Sequence, residues 1–190
     1  MKILIYPYFS FNALMVLLVV KLFTSPPNWI ISLTNLEEII WFSISDIYKI
    51  VSTANILNAD KDIYMRYINS SGSIVSASNY DSANMHMKAD TTKDEDKFQN
   101  GAYSYSGAII GNYENGGGVH WIYNPFSSSS YTFMTFEGAG GYDSSSNKTR
   151  SQKGIGILKQ AASMTGINFY SSNASNTFTA TINVYGLRVD

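Results

Sequence analysis

Residues 178–185 alternate strictly between apolar and polar side chains. The apolar positions are Phe178, Ala180, Ile182 and Val184, and the positions between them are Thr179, Thr181, Asn183 and Tyr185. In a β-strand, successive side chains point to opposite faces. The pattern therefore predicts a strand with one face against a core and the other in water.

About ten short strands follow from similar composition and from the turn residues between them. They cover residues 38–44, 47–57, 63–68, 73–77, 103–110, 119–123, 131–136, 154–158, 166–170 and 177–189. Residues 80–90 fit either a strand or a short helix. Loops are predicted at residues 91–101, which are charged, and at residues 112–118 and 138–150, which are rich in glycine. Short strands with no long helix between them predict an all-β fold, a jelly-roll-like antiparallel β-sandwich.

Composition excludes several classes of protein. Hydrophobic residues make up 45% of the 190 residues, charged residues 14%, and the formal net charge is -1. This is enough apolar material for a core, and the near-neutral charge gives no field that would attract nucleic acid. Cysteine is absent, which excludes disulfides, thiolate catalysis and cysteine-ligated zinc.

The N-terminal part of the chain differs from the rest. We divide the sequence into a hydrophobic segment, residues 1–35, and a β-sandwich domain, residues 36–190. Residues 13–20 are an unbroken apolar run, and residues 3–23 make a marginal membrane helix. The segment is predicted to be helical, and three interpretations stay open: a secretory signal, a membrane anchor, or a start codon assigned too early. Contact with a membrane is open for the same reason.

Few residues are suited to acid–base catalysis. The two histidines are His86 and His120. His120 is predicted on the strand face opposite Val119 and Trp121, as a surface residue or a hydrogen-bonded one. His86 lies between two methionines, which resembles a soft copper ligand set, but chance is the better interpretation in a chain with seven methionines.

Other motifs for metals, cofactors or nucleophiles are incomplete. The acidic residues 94–96 are flanked by lysines and lack EF-hand spacing, so we interpret them as part of a solvated loop. No dinucleotide fingerprint, phosphate loop or nucleophile elbow is present in the sequence. We predict no catalytic residue, no metal site and no cofactor.

A series of short motifs runs from about residue 45 to residue 190. They are YKIV (48–51), IYMR (63–66), NSSGSIVS (69–76), NY (79–80), IYNP (122–125), KGIG (153–156) and YGLRV (185–189). In order and spacing they resemble a family of small virion proteins from marine tailed phages, the cyanophages and pelagiphages. The resemblance covers about three quarters of the chain. It implies a jelly-roll-like sandwich in a tail, fibre or capsid-surface part, with no enzymatic activity.

The first functional hypothesis is therefore a non-enzymatic structural protein of a tailed phage particle, in its tail, a fibre or a capsid decoration. Its expected partners are other virion proteins and further copies of the same chain, because such parts are usually symmetric assemblies. Contact with a host-surface glycan is an additional expectation. The location would be the virion, or secreted or membrane-anchored if the N-terminal segment is a functional signal.

The alternative hypothesis is a secreted carbohydrate-binding module or adhesin. Its candidate ligand-binding residues are Asn112, Tyr113, Tyr142 and Asp143, with the tyrosines stacking on a sugar and the other two as polar partners. Trp121 is a further stacking candidate, but its alternation with Val119 and Tyr123 predicts a core position. A third hypothesis, a glycan hydrolase, would need Glu114 and Glu137 within ~10 Å of each other.

Overall fold

A computed structural model describes residues 29–34, 37–41, 46–56, 61–89, 93–110, 116–143, 148–173 and 178–187. These residues contain twelve β-strands and no helix. The strands are β1 (Trp29–Thr34), β2 (Glu37–Trp41), β3 (Ile47–Ile56), β4 (Lys61–Asn69), β5 (Tyr80–Lys88), β6 (Lys93–Gly101), β7 (Ser104–Ile110), β8 (Gly116–Tyr123), β9 (Thr132–Asp143), β10 (Lys148–Leu158), β11 (Met164–Ser171) and β12 (Phe178–Leu187).

The strands form two antiparallel sheets. The large sheet has eight strands in the order β1-β12-β3-β8-β9-β10-β5-β6, and the small sheet has four in the order β2-β11-β4-β7. Along the chain, the strands alternate between the two sheets, except that the hairpin β5–β6 and the three consecutive strands β8, β9 and β10 remain within the large sheet. The predicted all-β, antiparallel two-sheet fold is confirmed at this level.

The core lies between the two sheets and is built from alternate residues of each strand. The period-two pattern of β12 is confirmed, since its four apolar positions are all buried. From the large sheet, Ile50, Ile122 and Phe136 face inward, and from the small sheet Met65 does so. Burial of such side chains contributes about 1.5–3 kcal/mol each, which makes this layer the main source of stability.

Tyr80 fixes the chain between the small sheet and β5. Its ring is fully buried, and its hydroxyl donates a hydrogen bond to the carbonyl of Val75 (2.9 Å) and accepts one from the amide of Tyr67 (2.9 Å). The hydroxyl therefore both donates and accepts a hydrogen bond inside the core, as a buried polar group requires.

Two glycines allow the sheets to approach closely. Gly107 in β7 has a φ of +68°, and a side chain there would collide with the ring of Phe136. A side chain at Gly138 in β9 would collide with the carbonyl of Gly107. Here β7 crosses the inner face of β9, which explains why a glycine-rich stretch lies in strands rather than in a loop.

Several strand predictions need correction. Residues 91–101 were expected to be a loop, but Lys93–Gly101 is the edge strand β6, where charged side chains oppose pairing with another chain. Residues 138–143 and 148–150 extend the hairpin β9–β10 into a predicted loop, and residues 116–118 begin β8. Residues 73–77 do not form a returning strand, since only Ile74 bridges to Ile68. Residues 80–88 are a strand, which settles the choice between strand and helix.

The boundary predicted between residues 35 and 36 stays a prediction. β1, which precedes that boundary, pairs with β12 as an edge strand of the large sheet. The predicted N-terminal helix lies mostly outside the described residues. Within the described part of the chain, no helix has the length and apolar character needed to span a membrane.

Candidate binding surface

The outer face of the large sheet carries exposed apolar side chains. Trp121 of β8 is 37% exposed, Phe133 of β9 is 40%, Ile155 of β10 is 50% and Leu187 of β12 is 55%. Side chains on a solvent-facing strand surface are normally polar, as they are at most outward positions of β6. A cluster of large apolar side chains on such a face indicates an interaction surface.

The strand register makes these residues neighbours. In one row across the sheet, Tyr123 lies opposite Ile47 on one side and Phe133 on the other, and Phe133 lies opposite Ile157. In the next row, Trp121 lies opposite Lys49 and Thr135. Side chains in adjacent strands at one level are about 5 Å apart, so the apolar side chains form a continuous patch.

Charged groups border the patch. The ammonium group of Lys49 lies 5.3 Å from the ring centroid of Trp121, a cation–π contact that holds the ring on the surface. In the row beyond, Glu137 of β9 forms an ion pair with Lys153 of β10, and both side chains are exposed. Val119 and Met85 continue this row on either side.

A groove of about 440 Å³ lies beside the patch, where the small side chain of Ala83 leaves space between β10 and β6. Ile155 and Ile157 form one wall, and Lys97, Gln99 and Asp81 contribute polar groups; the remaining lining residues are Ser82 and Phe98. Lys159 pairs with the carboxylate of Asp81 and holds its pKa below the usual value. The groove therefore combines an apolar floor with a charged rim.

The predicted core position of Trp121 is wrong. His120 and Ile122 are the buried residues of β8, so the residues that alternate with them face outward. The alternation of Val119, Trp121 and Tyr123 was read correctly as one face, but the sequence does not tell which face meets the core. Bulky side chains on both faces of residues 131–136 were the available signal for an apolar outer surface.

Of the four predicted ligand-binding residues, only Tyr142 and Asp143 belong to the described part of the chain, so the predicted site stays a prediction. Asn112 and Tyr113 lie outside the described residues. Tyr142 and Asp143 are the last two residues of β9, at the opposite end of that strand from Phe133. Residues 142 and 143 thus lie at strand positions remote from the exposed aromatic patch.

A second candidate site is a polar cluster between the two sheets. Arg150 of β10 donates a hydrogen bond to Asp62 of β4 (2.8 Å), and its guanidinium lies 3.4 Å from Nδ1 of His86. The other ring nitrogen of His86 lies 3.3 Å from a carboxylate oxygen of Asp96. Burial and the neighbouring guanidinium lower the pKa of His86. The space inside this cluster is about 10 Å³, too small for a substrate.

His120 is fully buried, consistent with a hydrogen-bonded interior residue. Its Nε2 contacts the carbonyl of Ser106, and its ring packs against Phe169 with 5.2 Å between centroids. Burial lowers its pKa to about 4, so the imidazole is neutral at pH 7. A histidine sealed from solvent in this way has no access to a substrate.

The acidic residues examined for metal binding or hydrolysis are engaged elsewhere. Asp94 pairs with Lys88 (3.1 Å) and Glu95 pairs with Lys97 (2.7 Å). Among the described residues, no three histidine or carboxylate side chains come together as a metal-binding group. Of the two glutamates proposed for hydrolysis, Glu137 pairs with a lysine, and Glu114 lies outside the described residues.

No protein-family model, curated protein or solved structure matches this chain.

Proposed function

We propose that this protein is a non-enzymatic structural component of a tailed phage particle, and that it assembles through the outer face of its large sheet. The observation that carries the proposal is the exposed apolar patch around Trp121 and Phe133. Its partners are other virion proteins and further copies of the chain, and its location is the virion. A secreted or membrane-anchored location depends on residues 1–35 and stays an open alternative.

A jelly-roll topology is part of the proposal, and the strand order supports it. In a jelly roll, eight strands form two four-stranded sheets and the chain crosses from one sheet to the other. Leaving out the hairpins β5–β6 and β9–β10, the two sheets have the orders β1-β12-β3-β8 and β2-β11-β4-β7. Consecutive strands then cross between the sheets at every step except from β4 to β7, which are neighbours in the small sheet. Both viral capsid proteins and lectins use this architecture, so the fold alone does not choose between them.

The environment of the histidines supports a non-catalytic role. A general base must reach the proton that it removes from a substrate. His120 is enclosed by the core, and His86, 2% exposed, contacts Arg150 and Asp96 around a cavity too small for a ligand. The described residues therefore offer a surface for binding and no accessible imidazole for catalysis.

The direct test is to look for the protein in purified particles. We expect mass spectrometry of gradient-purified phage from a host carrying this gene to detect the chain at a constant ratio to the major capsid protein. Disrupting the gene should yield particles that lack this component and show a defect in assembly or adsorption. Consistent absence from intact particles would refute the virion role.

Carbohydrate binding is the second candidate function, and it is supported by the exposed ring of Trp121 beside the groove at Ala83. An aromatic face next to polar groups is suited to a sugar, whose apolar face stacks on the ring while its hydroxyls form hydrogen bonds. We expect a glycan array to give binding that Trp121→Ala removes and Asp94→Asn retains. Binding by both variants, or by neither the variants nor the unaltered protein, would exclude this use of the patch.

A further inference from the structure

The outer face of the large sheet has two unlike halves, divided by the line between β9 and β10. On β8 and β9, the aromatic side chains of Trp121, Tyr123 and Phe133 form a ridge. On β10 and β5, the groove lies over Ala83. Ridge and groove are at the same level along the strands, because Trp121 aligns through Thr135 and Ile155 with Ala83.

We propose that a second copy of this chain covers the outer face, related by a two-fold axis that runs parallel to the strands between β9 and β10. The inference rests on the proposed structural role and specifies its interface. Rotation about this axis exchanges β9 with β10 and β8 with β5 and leaves the level along the strands unchanged. Trp121 of one copy then lies over Ala83 of the other, and the reciprocal contact forms at the same time.

The shape of the outer face is complementary to itself in this arrangement. The largest side chain of the ridge, Trp121, meets the smallest side chain of the groove, Ala83, and Phe133 meets Ile157 in the row beside it. A bulky group opposite a small one is what lets two sheet faces interdigitate about 10 Å apart. A two-fold axis perpendicular to the strands would instead place each strand over the same strand of the other copy. The aromatic ridge would then meet the polar end of those strands.

Charge complementarity between β9 and β10 selects the same axis. At the rim, the rotation brings Lys49 of each copy opposite Lys97 of the other, where Glu95, the ion-pair partner of Lys97, offsets the like charges. Glu137 and Lys153 lie side by side on β9 and β10, one on each side of the proposed axis. The rotation brings Glu137 of each copy opposite Lys153 of the other, which gives two intermolecular ion pairs at the centre of the interface. An axis perpendicular to the strands through this row would place Glu137 against Glu137, which is repulsive.

The size of the face is sufficient for a stable dimer. The proposed axis places β9, β8 and β3 of each copy over β10, β5 and β6 of the other, so six of the eight strands are covered. With strands about 4.8 Å apart and about 7 residues per strand at 3.3 Å each, the covered face measures roughly 650 Å² per partner. Specific interfaces bury about 1,200–2,000 Å² in total over both partners, so this area reaches the lower end of that range. The charged side chains of β6 disfavour edge-to-edge association at that edge of the sheet.

Sedimentation velocity of the full chain is the first test. We expect a dimer at low-micromolar concentration, and we expect Trp121→Ala to weaken association by about 30-fold or more, as loss of a central aromatic does. Ala83→Arg should weaken it as well, by filling the groove from the other side. Asp94→Lys is the matched control, because Asp94 is an exposed charge of β6 whose side chain does not lie on the outer face. This variant should associate like the unaltered protein.

A charge exchange between copies is the sharper test. Glu137→Lys alone and Lys153→Glu alone each place like charges across the axis, so each variant should be monomeric at concentrations where the unaltered chain is a dimer. Mixing the two variants restores both intermolecular ion pairs, so the mixture should form heterodimers. An interface that joins residue 137 of one copy to residue 153 of another predicts this result together with a dimer of the unaltered chain, whereas a 137–137 contact would be repulsive in the unaltered chain.

Two outcomes would overturn the inference. One is a monomer for the unaltered chain across the concentration range, which would mean that the face is covered by residues 1–28, by a glycan or by a different protein. The other is a dimer that neither Trp121→Ala nor the single charge changes affect. These results are independent of the particle test, since detection in virions together with a monomer in solution would retain the structural role and reject this interface.

Discussion

The two sheets expose aromatic side chains on their outer faces in different ways. On the small sheet, Tyr64 stacks on Tyr103 at 4.0 Å, and Tyr105 and Tyr170 pack edge-on against the same ring. The guanidinium of Arg66 lies 4.4 Å from the ring centroid of Tyr170. On the large sheet, Trp121 and Phe133 remain open to solvent. Aromatic content therefore does not identify an interaction surface; the exposure of the rings, in the part of the chain that the structure describes, does.

A fall in pH should destabilise the whole fold and not one sheet alone, because the two histidines that take up protons lie in the layer between the sheets. Burial lowers the pKa of His120 in the folded protein to about 4, from about 6.5 in the unfolded chain, so the unfolded chain takes up the proton first as the pH falls. Stability is fully present above about pH 6.5 and is lost as the pH falls towards 4, by about 3 kcal/mol in total. His86, whose pKa is also lowered, adds to the loss.

Urea unfolding at pH 7.5 and pH 5 measures this effect. We expect the midpoint to fall at pH 5 with unchanged slope, because the native contacts are the same and only the proton uptake of the unfolded chain differs. His120→Gln is the control variant and should flatten the pH dependence. Equal stability at the two pH values would contradict the claim that burial lowers the pKa of these histidines in the folded protein.

Removing one aromatic ring from the outer face of each sheet should show which face contributes to the stability of the single chain. Tyr64→Ala deletes the centre of the stacked cluster, so we expect a loss of about 2–3 kcal/mol in the free energy of unfolding. Trp121→Ala, measured at concentrations where the chain is monomeric, should cost less than Tyr64→Ala, because 37% of the Trp121 side chain is already exposed to solvent. Chemical denaturation of both variants makes the comparison. Equal losses would mean that the two faces do not differ as described.

Arg66 tests how the small-sheet cluster is closed. Its Nε donates a hydrogen bond to the carbonyl of Ala102 (2.9 Å), and its guanidinium covers Tyr170. Arg66→Ala should destabilise the protein by about 1–2 kcal/mol, and Arg66→Lys should recover only part of this, because an ammonium cannot form the planar contact. Full recovery by lysine, in thermal unfolding of the two variants, would assign the effect to charge alone.

The smallest expected effect is at the open patch. Lys49→Gln removes the cation–π contact with Trp121, and we expect a change in stability of about 0.5 kcal/mol with a shift in tryptophan fluorescence. Lys97→Gln is a comparable change on the same face away from that ring. The interpretation fails if the two variants shift the emission spectrum alike.

Local sequence was sufficient to predict a strand where apolar and polar side chains alternate along it. For β12, the alternating pattern correctly placed the inward positions, and β3, β4 and β11 were found within a few residues of their ends. It failed for β6 because its charged residues suit a loop as well as a sheet edge. It failed at residues 138–143, where Gly138 is required by the close approach of β7, and at residues 116–118, where Gly117 and Gly118 lie too close to the backbone of β3 and β9 to admit a side chain. Both are contacts between distant parts of the chain.

The candidate surface was only partly visible in the sequence. Bulky residues on both faces of residues 131–136 were noticed, but Trp121 was assigned to the core, and the predicted ligand-binding residues lie away from the patch or outside the described part of the chain. Which face of β8 meets the core depends on the packing of β7 and the small sheet against it. The single strand does not reveal that choice, because the inward face carries His120 while the outward face carries Val119, Trp121 and Tyr123.

The sequence by itself determined that this is a layered β protein, because period-two alternation, short runs and turn residues act over a few neighbouring positions. The tertiary structure alone decided which aromatic side chains are covered and which are exposed. Tyr64 and Trp121 are both large and partly apolar. What separates them is that Tyr103, Tyr105 and Tyr170 pack around the ring of Tyr64, whereas no such cluster of rings covers Trp121 among the described residues. Burial is a property of neighbours that meet through the fold, so local sequence does not specify it.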